Sequence, residues 1–336
     1  MTTFGTYILS IFLGVTGACA VSQFGGKLGL LDCPNERSSH HAPTLRGGGI
    51  GILAAFLLSA TVADISIFFW LPISLLSILA FWGDRMDLSP KLRLNAQLFL
   101  MEILVLGAVQ LPSNPLWFLP WVLFWTLFIV GTANFYNFMD GINGIAGITG
   151  IVGFGLLAVC IFLTDGQDWF FTIATCISFS CLGFLPLNMP KAKVFMGDGG
   201  SILLGSAFAG LVFLTSKTLL DFVCMASFLF PFYADELTTM FFRLRDGESL
   251  TQPHRRHVYQ LLANEKGIPH WQISAGFGLL QLVVGASAIL LRPYGVVAVF
   301  TLLILCFITF TTVSLYLRLF LEKSLQPDPP RRTIKD

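Results

Sequence analysis

Long apolar runs separated by short polar stretches extend from the start of the chain to about position 317. Eleven runs approach the length of roughly 20 residues that a helix needs to cross a bilayer. They cover residues 4–24, 48–63, 66–82, 94–111, 116–134, 145–164, 169–187, 201–216, 219–240, 271–291 and 295–317. The pattern predicts an all-α polytopic integral membrane protein with about eleven transmembrane helices. We expect one transmembrane domain over residues 1–320 and a disordered polar tail over residues 321–336.

Basic residues fall on alternate loops. All but two of the 20 Lys and Arg residues lie in the loops that follow odd-numbered helices or in the tail, and the exceptions are Lys217 and Arg292. Cytoplasmic loops carry an excess of Lys and Arg, so we expect those loops in the cytoplasm and the N-terminus outside. The first basic residue, Lys27, follows the first apolar run. We therefore expect a retained helix there and no cleaved signal peptide.

Composition agrees with a membrane protein. Hydrophobic residues make up 55% of the chain and charged residues 12%, about half the share of a soluble domain. The net charge of +1 gives no indication of nucleic-acid binding. The seven cysteines form no CxxC pair, so neither a disulfide framework nor a zinc site is indicated.

One polar stretch lies between the fifth and sixth apolar runs, at residues 134–144. It contains one acid and three amides at every third position, namely Asn134, Asn137, Asp140 and Asn143. On a helix this spacing lets all four share one broad face. Close packing of helices through the neighbouring glycines is the simpler explanation. Polar groups are costly within a membrane, however, and this many favour a ligand site.

Further acids lie in two other predicted cytoplasmic loops. Asp198 has glycine on both sides, which leaves its carboxylate approachable, as a Mg²⁺ ligand requires. It could instead cap the helix that follows. Asp84 and Asp87 lie one helical turn apart, and a helix cap with a local ion pair explains them equally well. Asp235 and Glu236 lie within the ninth apolar run, near its cytoplasmic end, and we expect them to face the site.

Two loops carry clustered cations. In the first loop, Arg37, His40 and Arg46 precede three successive glycines, whose N–H groups could bind phosphate; contact with anionic lipid explains the loop equally well. The segment His254–Gln260 has two histidines three positions apart with two arginines between them, which favours anion binding. An interfacial basic helix is the alternative. Zinc is not indicated, since no cysteine is near.

Together these loops resemble the polyprenyl-phosphate N-acetylhexosamine-1-phosphate transferases, a family of bacterial envelope enzymes. Asp32–Gly49 is similar to the family segment DxPxxRxxH…GG, Asp84–Arg93 to DD…LSPKxRL, Asn134–Gly144 to NxxNxxDGxDG, and Phe195–Asp198 matches FMGD. His254–Gln260 is similar to HxxHxYQ, the form typical of the O-antigen-initiating branch. The resemblance covers nearly the whole chain in motif order. Two carboxylates of the pattern are missing, because Gly83 and Asn143 stand in their places.

The resemblance implies transfer of a HexNAc 1-phosphate from a UDP-sugar to undecaprenyl phosphate at the inner (plasma) membrane, with Mg²⁺ or Mn²⁺ as cofactor. It implies catalytic roles for Asp84, Asp140 and Asp198, with the metal on Asp198 and Asp140. It also implies substrate binding by a larger set: Arg37, His40, Asn134, Asn137, Asn143, His254, Arg255 and His257. The expected partners are both substrates and membrane lipid, with no nucleic acid. The sugar, the acceptor length and the oligomeric state, a homodimer included, stay open.

Two other functions remain. A non-catalytic relative could keep the fold and bind the same ligands, and the two missing carboxylates leave that alternative open. A secondary transporter would also use acids and amides, but its site would lie near the bilayer midplane. Here the polar motifs cluster on one predicted face of the membrane, which favours the enzyme. A direct attack by the lipid phosphate is preferred over a covalent aspartyl-phosphate.

Overall fold

The computed structural model describes residues 3–34, 39, 42–83, 88–107, 115–164, 166–249 and 254–325. Helices dominate it, and in chain order the first eight are α1 (Thr3–Phe24), α2 (Ile50–Val62), α3 (Ile67–Gly83), α4 (Pro90–Gly107), α5 (Phe118–Phe138), α6 (Ile145–Leu163), α7 (Asp168–Asn188) and α8 (Asp198–Thr215). They are followed by α9 (Leu219–Ala226), α10 (Phe230–Arg245), the single turn α11 (Val258–Gln260), α12 (His270–Leu291) and α13 (Val296–Leu325). The protein is therefore an all-α polytopic membrane protein, as predicted.

Within the described residues, each of the eleven predicted apolar runs contains a helix. Seven helical segments in the described part of the chain are long and apolar enough to span a membrane, and α2 and α3 are shorter apolar helices. The ninth run is interrupted, because a 3₁₀ turn at Ser227–Leu229 separates α9 from α10. Pro231 lies in the first turn of α10, where its missing N–H costs no helical hydrogen bond. Eleven crossings and an outside N-terminus stay predictions.

Helix α8 forms the centre of the molecule, and every residue from Gly199 to Phe213 is buried. Close helix contacts occur at glycines around it. A Cβ at Gly205 would lie 2.6 Å from the Cα of Ala133 on α5, so the two backbones meet directly there. Small residues at such contacts allow membrane helices to pack tightly. This packing places the start of α8 beside the end of α5.

A small sheet, absent from the sequence prediction, joins the first and the seventh loop. Strand β1 (Leu31–Asp32) pairs antiparallel with β2 (Thr44–Arg46), and β2 pairs parallel with β3 (Val194–Phe195). Arg46 is the register partner of Phe195, three residues before Asp198. The sheet therefore fixes the start of α8 against the loop after α1.

Candidate active site

A polar cavity of about 260 Å³ opens where α5, α8 and α12 begin or end. Four of the predicted site residues line it, namely Asn137, Asp140, Asn143 and Asp198. Sequence analysis placed these residues in two separate loops, and the structure brings them to one cavity. Residues without a predicted role also line it: Asp32, Asn188, Gln260 and His270. Arg46 also lines this cavity and contributes positive charge to it.

The loop from Asp140 to Gly144 is held by hydrogen bonds on both sides. The N–H of Asp140 donates to the carbonyl of Asn137 at 3.1 Å, which closes the last turn of α5. The N–H of Gly144 donates to Oδ1 of Asn188 at 2.6 Å. Gly144 has φ +88°, a conformation that favours glycine. The loop therefore turns back sharply into α6 and presents Asp140 to the cavity.

Asn143 is fixed through three contacts. Its N–H donates to Nδ1 of His270 at 3.3 Å, and its carbonyl accepts from the hydroxyl of Ser274 at 2.8 Å. Its side-chain amide donates to the carbonyl of Pro190 at 3.3 Å. An aspartate could not make this last contact, because a carboxylate only accepts. The amide that replaces the family carboxylate thus has its own structural partner.

Asn137 lines both the polar cavity and a neighbouring groove, whereas Asn134 lines only that groove. Asn137 donates to the hydroxyl of Ser201 on α8 at 2.9 Å and lines the polar cavity. Asn134 pairs with the amide of Gln97 on α4, at 2.7 and 3.3 Å, and lines a neighbouring groove. The four residues of the stripe therefore do not all reach the polar cavity, since Asn134 lies one turn before Asn137 on α5, further from the helix end.

Asp198 is the first residue of α8 and follows Gly197, whose φ is +77°. Its carboxylate forms an ion pair with Arg93 of α4, with 3.3 Å between Oδ2 and Nη1. Arg93 also donates to the carbonyl of Gly83 at 2.9 Å. No role was predicted for Arg93, although it is the arginine of the LSPKxRL segment. Its cation lies next to the position where the family has its first aspartate.

The glycines at positions 47–49 do not offer the phosphate nest considered above. The N–H groups of Gly47 and Gly48 both donate to the carbonyl of Phe195, and that of Gly49 donates to Met196. A Cβ at Gly49 would lie 2.4 Å from the Cα of Gly200. These glycines therefore allow the loop to pack against the start of α8, and their amides are already used.

Asp140 and Asp198 lie in the same cavity, and the charge of Asp198 acts on Asp140. Burial raises the pKa of Asp140 well above its ordinary value, and the negative charge of Asp198 raises it further. A divalent cation bound by both carboxylates would offset the repulsion between their negative charges. The described residues contain no cluster of three or more His, Cys, Asp and Glu side chains that could hold a metal. Two carboxylates nevertheless fit Mg²⁺, which takes few protein ligands and keeps phosphate and water for its other positions.

An apolar groove of about 380 Å³ runs along α3, α4 and α5 and ends at Asp198. Its walls are mainly aliphatic, and they include Leu76, Leu79 and Leu94. Arg93 and Asn137 lie at its polar end. Asp198 therefore belongs to both the groove and the polar cavity.

A wider cavity of about 750 Å³ adjoins the polar cavity and shares His270 and Asn143 with it. Arg255 and Lys191 provide its positive charge. His254 lines neither cavity; its Nδ1 accepts from the N–H of Arg256 at 3.3 Å. Partial burial, with the positive charges of His257 and Arg243, lowers the pKa of His254 to about 4. His254 is therefore neutral near pH 7.

His257 points away from both cavities. It is 2% exposed, and its Nε2 lies 3.4 Å from Oε2 of Glu236 while its Nδ1 lies 3.7 Å from Oδ1 of Asp235. These two acids, expected to face the site, are buried against the 254–260 segment instead. Arg256 forms ion pairs with Asp246 and Glu248. Much of this cationic segment is therefore engaged within the protein.

Three predicted site residues, Arg37, His40 and Asp84, lie outside the described residues. Their roles stay predictions. Arg93, Asn188 and His270 were not predicted as site residues, and each of them lies near a helix end that faces the site. The one signal for Arg93 was its place in a recognisable motif.

The fold and site define a polytopic membrane protein in which a polar cavity lined by Asp140 and Asp198 meets an apolar groove at Asp198. Residues 66–216 match the family model of glycosyl transferase family 4. The match confirms the family resemblance that the sequence motifs indicate.

Curated relatives extend the similarity over most of the chain. The undecaprenyl-phosphate alpha-N-acetylglucosaminyl 1-phosphate transferase of Escherichia coli K12 is 28% identical over 327 residues, which cover 88% of this chain and 84% of the relative. The enzyme of the same name from Thermotoga maritima is 28% identical over 299 residues, 83% of this chain and 88% of the relative. A probable undecaprenyl-phosphate N-acetylglucosaminyl 1-phosphate transferase of Bacillus subtilis 168 is 26% identical over 319 residues, 85% of this chain and 84% of the relative.

Proposed function

We propose that the protein transfers an N-acetylhexosamine 1-phosphate from a UDP-sugar to undecaprenyl phosphate and releases UMP. The observation that carries this proposal is the position of Asp198, on the wall of the polar cavity and at the end of the apolar groove. A water-soluble anionic donor and a membrane-anchored acceptor require such a junction. The names of the relatives support the same acceptor. We place the reaction on the cytoplasmic side of the inner membrane, where it would start an O-antigen or a related envelope glycan.

The donor would occupy the polar cavity and extend into the wider one. Arg46, Lys191 and Arg255 supply positive charge along this path. The amides of Asn137 and Asn143 face the first cavity and would bind polar groups of the donor. Cations and amides on one path favour a substrate that carries both phosphates and sugar hydroxyls.

The lipid acceptor would lie in the apolar groove with its phosphate beside Arg93. The guanidinium group lies at the polar end of the groove and is a third exposed, so an incoming phosphate can reach it. Guanidinium groups suit phosphate oxygens geometrically. The groove is therefore the acceptor site that sequence analysis could not locate.

Asp140 and Asp198 would hold Mg²⁺, with Mn²⁺ as a substitute. When bound, the cation supplies charge neutralisation to the diphosphate. Charge repulsion between two anionic phosphates is the main barrier to this reaction, and the arginines at the site lower it in the same way. Both carboxylates face one cavity, which supports their joint role.

The chemistry requires no strong base. An oxygen of the lipid phosphate forms a bond to the sugar-bound phosphorus, and the bond from that phosphorus to the bridging oxygen breaks, so UMP leaves with that oxygen. A phosphate monoester has its second pKa near 6, so the attacking oxygen is already ionised near pH 7. Direct attack is therefore preferred over a covalent aspartyl-phosphate. Asp84 would orient the lipid phosphate.

The test is UMP release by purified protein with undecaprenyl phosphate, Mg²⁺ and a panel of UDP-N-acetylhexosamines. We expect release that requires the lipid and the metal, and loss of at least about 100-fold in Asp198→Asn. Asp168→Asn is the matched control, since Asp168 is the first residue of α7 and lines none of the site cavities. Absence of release with every donor, while lipid and nucleotide still bind, would favour a non-catalytic relative. The donor that supports turnover identifies the sugar.

A further inference from the structure

Tyr259 connects the 254–260 segment to the end of α5. Its side chain is 1% exposed, and its hydroxyl donates to the carbonyl of Phe138 at 3.0 Å. Phe138 is the last residue of α5, and Asp140 follows two positions later. The last carbonyls of a helix have no partner within the helix, so this bond satisfies one and fixes the helix end.

The same ring also packs against Gly141, the residue that follows Asp140. A Cβ added to Gly141 would meet the hydroxyl of Tyr259 first, and the ring carbons Cε2 and Cζ at 3.0 Å. Gly141 therefore lies directly on the phenol, with no room for a side chain. Tyr259 contacts the chain immediately before and immediately after the Met139–Asp140 pair.

Helix α10 in turn fixes Tyr259. Asp235, which is fully buried, accepts the N–H of Val258 at 2.9 Å and the N–H of Tyr259 at 3.4 Å. The ring of Tyr259 stacks on that of His257, with centroids 5.5 Å apart and an interplanar angle of 13°. Tyr259 is therefore fixed through its backbone N–H and through the face of its ring.

We propose that Tyr259 is a positioning residue for the reaction, which sets the direction of the Asp140 carboxylate through Phe138 and Gly141. This inference rests on the proposed function and adds a residue to it. Tyr259 lines none of the site cavities, so it would affect the substrates only indirectly, through Asp140. Small displacements matter here, because misplacing a reacting group by about 1 Å can cost about 100-fold in rate.

The first test compares Tyr259→Phe with Tyr233→Phe. The hydroxyl of Tyr233 hydrogen-bonds the hydroxyl of Thr132 at 2.8 Å, so each variant removes one tyrosine contact to α5. We expect Tyr259→Phe to lower kcat by about tenfold or more, with KM for both substrates within about twofold of wild type. Tyr233→Phe should retain the wild-type kcat. Both should lower the melting temperature by a similar small amount, since each loses one hydrogen bond.

The second test does not depend on turnover. Hydrogen–deuterium exchange of the full-length protein in detergent, without substrates, reports the stability of residues 138–147. We expect faster exchange there in Tyr259→Phe, and wild-type exchange there in Tyr233→Phe. Exchange over residues 120–130 of α5 should be the same in all three proteins.

A double-mutant cycle tests the contact at Gly141. Gly141→Ala should lower kcat, because the new methyl group displaces the loop from the phenol. In the double variant with Tyr259→Phe, the nearest atom is gone and the hydrogen bond to Phe138 has already been lost. We expect the double variant to lie within about threefold of Gly141→Ala alone, well short of the product of the two losses.

The outcomes separate this proposal from the proposed function. A wild-type kcat in Tyr259→Phe, or unchanged exchange over residues 138–147, would overturn the positioning role. A loss seen only as a raised KM would also overturn it. If the wild-type protein releases no UMP with any donor, the proposed function fails, and the exchange experiment alone decides whether Tyr259 fixes the loop.

Discussion

His257 is expected to stabilise the protein and not to bind substrate. The sequence motif implied a substrate contact, but the imidazole is 2% exposed and lies between the carboxylates of Glu236 and Asp235. Truncation to alanine leaves two buried acids without this partner. His254→Ala is the matched control, since it removes the other histidine of the same segment from a partly exposed position.

The magnitude follows from burial. Truncating a buried ring to alanine costs about 3–5 kcal/mol, whereas a partly exposed hydrogen bond contributes about 1 kcal/mol. At about 2 °C per kcal/mol for a chain of this size, His257→Ala should lower the melting temperature by about 6–10 °C. His254→Ala should lower it by about 2 °C.

The assay combines thermal unfolding in detergent with UMP-release kinetics on the fraction that remains folded. We expect that folded fraction of His257→Ala to keep KM for the nucleotide-sugar within about threefold of wild type. A variant with the wild-type melting temperature and a strongly raised KM would refute the reasoning, because it would show that the imidazole faces the substrate.

Two further predictions concern charged groups at the site. Arg93→Gln should lower kcat by about 100-fold, because a cation is lost beside both phosphates, while stability changes by less than about 1 kcal/mol since the ion pair with Asp198 is partly exposed. Arg245→Gln, which breaks the surface pair with Asp246, is its control, and an Arg93→Gln variant with wild-type kcat would contradict the role. The pKa of His254 is about 4 in the folded protein and 6.5 ordinarily, so below pH 6.5 the unfolded chain binds a proton that the folded chain does not. The melting temperature should therefore fall from pH 6.5 towards 4 and fall less in His254→Asn; equal slopes in the two proteins would argue against it.

The helical architecture follows from the sequence, because the bilayer requires both a long apolar segment and a helical backbone. A segment inside a bilayer must satisfy its own backbone, so each long apolar run predicts a helix. The convergence of Asp140 and Asp198 was also predictable. Asp140 follows the fifth apolar run and Asp198 precedes the eighth, and both lie on the same predicted side of the membrane. The interruption of the ninth run had one visible signal, Pro231, which suits a first helical turn better than a helix interior.

The small sheet had no such signal. Its strands are two or three residues long, too short for an alternating pattern, and β2 pairs with β3 across about 150 positions of sequence. The glycines at 47–49 were therefore considered for phosphate binding, a use typical of glycine-rich loops. Only the pairing with residues 195 and 196 shows that their N–H groups are already donated.

The 254–260 segment illustrates a different limit. Composition shows that the segment is cationic but not which side chains face inwards. Asp235 and Glu236, however, lie in an apolar helix, and buried acids at such a position require partners. Thr239 and Arg243 are donors nearer in sequence, so only the structure assigns His257 and the N–H groups of residues 258 and 259 to these acids. Arg255 is then the side chain of the segment left to face the wider cavity, where the structure places it.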